Sequence, residues 1–117
     1  MGRSKMIVEE LKLIIESKLK YKEIAKLSKE DYQQFIYNFF KMLDVYKKIG
    51  VIKSDINIFV NDILGTESEH FENNTINQDR LIIIIEEVIS FCPSPFFWDI
   101  PLEEYMKKWE RLYFPNL

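Results

Sequence analysis

Apolar residues recur at spacings of three and four along almost the whole chain. In MIVEELKLIIESKL, residues 6–19, Ile7, Leu11, Ile14, Ile15 and Leu19 form one stripe, with Glu9, Glu10, Lys12 and Glu16 around it. That spacing predicts an amphipathic helix. YKEIAKL, residues 21–27, predicts a short second helix. Ser28 then opens SKED, a capping-box-like signal with Asp31 in the third helical position. The longest helix is expected behind it, over about residues 29–49, with a stripe of Tyr32, Phe35, Ile36, Phe39, Phe40, Leu43 and Tyr46. Gly50 stands where a left-handed C-terminal cap is wanted.

SDINIFVNDILG predicts a further helix, capped by Ser54 or Asp55, stopped by Gly65 and burying Ile56, Phe59, Ile63 and Leu64. The polar run at 66–77 reads as a loop, and Asn77 is placed to cap a helix over about 78–91. Isoleucines 82–85 favour a strand by propensity alone. The apolar spacing runs on past two glutamates, through Leu81, Ile84, Ile85, Val88 and Phe91, and so predicts a central helix. Pro101 suits the first turn of a last helix, with Glu103 and Glu104 beside its positive end. Leu102, Tyr105, Met106, Trp109 and Leu112 form its inner face. No repeat, linker or hairpin signal interrupts the pattern. The expected fold is all-α: one domain over residues 1–117, a compact antiparallel bundle of five to six helices.

One stretch departs from this pattern. FCPSPFFWDIP, residues 91–101, places Phe96, Phe97 and Trp98 in a row among three prolines. The prolines exclude a long helix or a central strand. Such a loop either plugs the end of its own core or offers an apolar anchor to another molecule.

A chain of 117 residues that is 47% hydrophobic can bury a real core, and disorder is excluded on composition. The single cysteine, Cys92, forbids an internal disulfide and fits a reducing compartment. Glu9 and Glu10 interrupt the first apolar run before it resembles a secretion signal. The aliphatic run at 81–85 falls far short of the about 20 residues of a membrane span. A cytoplasmic protein without a membrane partner is expected.

The net charge of −3 conceals a division. Residues 1–53 hold twelve basic and seven acidic side chains, net +5; residues 54–117 hold four and twelve, net −8. A solvated surface explains charge of either sign. The sharper expectation is that the acidic half faces a basic protein partner, since complementary fields steer association. Phosphates repel that half, which argues against a duplex-binding role for it. The basic half leaves a second reading open. YKEIAKLSKEDYQQFIYN, residues 21–38, has a helix-turn-helix outline, and a small nucleic-acid-associated regulator would use it. Yet its turn lacks glycine, and its reading helix carries Glu30 and Asp31 but no arginine for guanine.

Catalytic chemistry finds little footing. Cys92 and His70 are far apart in sequence, and Cys92 precedes Pro93 at a helix end that disfavours a thiolate. Glu67, Glu69, His70 and Glu72 gather one histidine among glutamates, a weak zinc pattern. Adjacent Glu86 and Glu87 splay about 100° apart on a helix. The glycines are isolated, so no phosphate cradle is indicated. The expectation is no enzyme, no cofactor and no metal, with a small-ligand pocket beneath the aromatic loop and a homo-oligomer through it as open alternatives.

The layout of ELKLIIESKLKYKEI, a long second helix, and SDINIFVNDILGTESEHFENNTINQDRLIIIIEEVI resembles the small helical immunity proteins of the colicin D and contact-dependent-inhibition type, over about residues 6–91. The resemblance implies an inhibitor that covers the basic, substrate-binding face of a bacterial nuclease toxin. It places Asp55, Asp62, Glu67, Glu69, Glu72 and Asp79 in the acidic part. With Glu86 and Glu87 these are the expected electrostatic contacts, and Phe97 and Trp98 the expected apolar anchors.

Overall fold

In the computed structural model, residues 5–71 and 75–117 are described. The described residues form six helices: α1 (Lys5–Lys18), α2 (Tyr21–Ala25), α3 (Lys29–Ile49), α4 (Lys53–Glu67), α5 (Thr75–Val88) and α6 (Leu102–Leu112). Single 3₁₀ turns at Ser68–His70, Phe97–Asp99 and Phe114–Asn116 complete it. Helix α1 packs on α4, α4 and α2 on α5, and α3 on α6. This is the all-α bundle that the periodicity predicts, and the described residues contain no strand.

Local chemistry sets most boundaries. The Ser28 hydroxyl accepts from the Asp31 N–H at 3.1 Å, which occupies one of the four unpaired donors at the start of α3. Gly50 ends α3 at φ 116°, a left-handed conformation that costs glycine little. At α4 the cap is Ile52, two to three residues earlier than expected. Its N–H donates to the Asp55 carboxylate at 2.9 Å, so Asp55 serves from inside the first turn.

Three helix ends depart from expectation, the first for a tertiary reason. Helix α4 runs through Gly65 to Glu67, because the Glu67 carboxylate accepts the Tyr21 N–H at the start of α2, 2.7 Å away. Helix α5 starts earlier than expected, at Thr75, so Asn77 lies inside it; the side chain of Asn77 is outside the described residues. It ends at Val88, where Ser90 turns at φ 59° and the Phe91 N–H reaches back to the Glu86 carbonyl at 2.8 Å. That turn throws Phe91 out of the predicted inner stripe, and it is 73% exposed.

The core holds Leu11, Ile15, Ile36, Leu43, Leu81, Ile84, Ile85 and Val88 with no exposed surface. At the α3–α6 side it becomes aromatic. Phe40 packs within 5.1–5.7 Å of the Phe97, Tyr105 and Trp109 rings, centroid to centroid. Aromatic packing at tilted angles contributes beyond plain area burial. Among the described residues no helix is long and apolar enough to cross a membrane.

Candidate functional site

Within the aromatic loop, neighbouring rings differ in burial. Phe97 is fully buried, stacked edge-on between Tyr105 and Trp98 at 5.5 and 5.0 Å. It is the plug, and the expectation that it anchors a partner does not hold while the loop keeps this conformation. Trp98 is half-buried. Its indole N–H donates to the Val88 carbonyl at 2.6 Å, satisfying one of the last acceptors of α5 and fixing the ring.

Trp98 and Asp99 line two open clefts. One, of about 590 Å³, also includes Asp44, Lys47, Lys48 and Glu103; the other, of about 520 Å³, includes Ile52, Ser54, Ser90 and Phe96. Lys47 ties the first wall together. Its ammonium donates to the Phe97 and Ile100 carbonyls at 2.6 and 2.7 Å and lies 4.7 Å over the Phe97 ring. Burial lowers the Lys47 pKa, although Asp44 and Asp99 pull the other way. Asp99, Glu103 and Glu104 are exposed at the edge, as are Phe91 and Ile52. The face is therefore a tryptophan ridge with apolar surroundings and charges of both signs, Asp44, Asp99 and Glu103 beside Lys47, Lys48 and Lys53.

The loop is held from inside by a buried ion pair. Lys108 and Glu87 are each fully buried, with Nζ 2.9 Å from Oε2 and 3.0 Å from Oε1. Nζ also donates to the Pro93 carbonyl, to the Pro95 carbonyl at 3.0 Å and to Cys92 Sγ at 3.5 Å. Glu87 in turn accepts from the Tyr105 hydroxyl at 2.6 Å and from the Tyr113 hydroxyl. Trp109 Nε1 donates to the Tyr105 oxygen at 2.9 Å, extending the network. A buried pair survives when its remaining hydrogen-bonding capacity is met, as here. Burial, then the Glu87 charge, pushes the Cys92 thiol up to about 11, which leaves it protonated at neutral pH.

The same causes raise the Tyr105 hydroxyl well above its ordinary value of 10.0, and burial raises Tyr32. These groups keep their protons in the fold while unfolded tyrosines lose theirs near pH 10. Their contribution to stability is complete below that pH and is lost above it. Thermal melts across an alkaline series are expected to show the melting temperature falling from about pH 9 upward. A flat profile there contradicts the burial of these hydroxyls.

The expected site residues separate under this geometry. Asp62, Glu69 and Asp79 are exposed, and Glu86 and Asp55 are half-buried, with Asp55 engaged as a cap. Glu67 and Glu87 are corrected: both are buried and bound to groups of this chain, so neither presents its charge to a partner. Glu72 lies outside the described residues. Asp79 sits nine residues before Val88, roughly 13 Å away along α5 from the Trp98 contact. Asp79 and the aromatic ridge are therefore not one cluster. Among the described residues no group of three or more His, Cys, Asp and Glu side chains could hold a metal ion.

The buried charges did leave a signal in the sequence. Lys108 falls three residues after Tyr105, and Glu87 three after Ile84, on inner faces of their helices. Glu67 likewise follows Ile63 by four. A charge inside an apolar stripe is rarely exposed. Spacing along the chain says nothing, however, about which of them meet.

No family model matches the chain, and no curated protein or solved structure matches it either.

Proposed function

We propose that this chain is a protein-binding inhibitor that neutralises a basic enzyme, a bacterial nuclease toxin, by covering its substrate-binding face. The observation that carries the reading is the Trp98 ridge, fixed by its bond to Val88 and flanked by two open clefts with Asp99 and Glu103 at their edges. Tryptophan is the side chain most often found at the energetic centre of a protein interface. Open clefts suit protruding side chains of a protein, such as the lysines and arginines of a phosphate-binding surface.

The charges then divide into two roles. Asp99, Glu103, Glu104 and Glu86 lie nearest the ridge in sequence and supply contacts to basic side chains. Asp62 and Asp79 are exposed farther along α4 and α5, and Glu69 in the 3₁₀ turn that follows α4. They add to the field that speeds encounter without touching the partner. The cytoplasm is the compartment in which such an inhibitor protects its own cell.

Capture from source cells with tagged chain as bait tests this reading. The expected yield is a basic protein with nuclease activity, in equal amount to the bait and depleted as salt rises. Nucleic acid in the eluate, or a bait that pairs only with itself, overturns it in favour of a regulator or a homo-oligomer.

A further inference from the structure

A third cleft lies away from the aromatic loop, between the first half of α5 and the end of α6, and it holds an arginine whose bonding is incomplete. It encloses about 380 Å³, within the size range of small-molecule pockets. Tyr32, Trp109, Tyr113 and Ile83 supply aromatic and aliphatic wall, and Arg80 lines it with them.

Arg80 is held firmly on one side only. Its Nη1 donates to the Ile24 and Leu27 carbonyls at 3.2 and 2.8 Å, and its guanidinium lies 4.7 Å over the Tyr32 ring. The Tyr32 hydroxyl donates back to the Arg80 carbonyl at 3.0 Å. These contacts fix the plane of the guanidinium. Its Nε is buried without a hydrogen-bond partner. Nor does any carboxylate among the described residues lie within ion-pair distance of this cation. Buried donors in folded proteins are nearly always paired, and an arginine edge presents Nε and Nη2 in the spacing of a carboxylate's two oxygens.

We propose that this cleft binds a small carboxylate carried on a planar apolar body, its carboxylate paired with the Arg80 guanidinium and its ring against Tyr113 and Ile83. Asp79 is the one acid among the lining residues and is exposed at the rim, so it limits the site to ligands of low charge. The site shares no residue with the Trp98 face and stands independently of the inhibitor reading.

The test is a nuclear magnetic resonance titration of the nitrogen-labelled full chain, following the Arg80 Nε–H signal. Indole-3-acetate is the probe, and indole-3-acetamide, of the same shape without the charge, is its control. The acetate is expected to shift the Arg80 Nε–H with a Kd of about 1 mM, and the amide to bind roughly tenfold more weakly or less. Arg80→Lys keeps the charge but loses the fork, and is expected to weaken the acetate by a similar factor. Because Arg80 also ties α2 to α5, Leu112→Glu serves as a second variant. Leu112 is 41% exposed on the cleft wall, so a carboxylate there repels the probe without opening the core. Equal binding of acid and amide, an Arg80 signal unmoved by either at millimolar concentration, or full binding to Leu112→Glu overturns the proposal.

Discussion

Lys108→Met is expected to lower the unfolding free energy by about 3–5 kcal/mol, the cost of leaving one partner of a buried ion pair alone. The Glu87 carboxylate would keep two tyrosine hydroxyls but lose the Lys108 ammonium paired with it in the core. At the same time the Pro93 and Pro95 carbonyls would lose the ammonium that ties the loop down. Against a total stability of about 5–15 kcal/mol for a domain of this kind, that loss is a large fraction. Urea denaturation followed by circular dichroism measures it, with the midpoint falling at unchanged slope. Adding Glu87→Leu removes the orphaned charge and is expected to restore part of the loss. The restoration stays partial, because the Tyr105 and Tyr113 hydroxyls then lack their acceptor. A Lys108→Met variant that melts within about 1 kcal/mol of the parent contradicts the buried network.

The second large effect distinguishes neighbours in the aromatic loop. Phe97→Ala is expected to destabilise by about 3–5 kcal/mol, the range for emptying a phenylalanine-sized space in a packed core. Its ring touches Phe40, Trp98 and Tyr105, and Lys47 lies over it, so the space cannot close by a small side-chain shift. Trp98→Ala is expected to cost far less, on the order of 1 kcal/mol, because the ring is half-exposed and forms one hydrogen bond within the chain. Paired denaturation curves decide between them. Equal losses would mean that both rings belong to the core and that the loop has no docking role.

The helices were legible because their signals are local. The Ser28 cap, the Gly50 stop and the three-four spacing of Phe39, Phe40 and Leu43 act within one or two turns. The end of α4 was not, because Glu67 continues the helix for the sake of a bond to Tyr21, forty-six residues away in sequence. The fate of the acids was illegible for the same reason. Glu86 and Glu87 are adjacent and chemically alike, yet one is half-exposed and the other has no exposed surface at all. Which of the two turns inward depends on the phase of α5 against α6, and only the packed core fixes that phase. The aromatic loop was ambiguous in sequence because its neighbouring rings, Phe97 and Trp98, have opposite environments.

The central claim is that the Trp98 face binds a basic protein, and one paired capture tests it most directly. Parent chain and a Trp98→Ala, Asp99→Lys variant, each tagged and each shown to be folded, are offered to the same source-cell lysate at low and at moderate salt. The account predicts that the parent retains a basic nuclease in equal amount and suppresses its activity, that moderate salt weakens the retention, and that the variant retains little of it. A nuclease held equally by both baits, or no protein held by the parent at either salt, would contradict it.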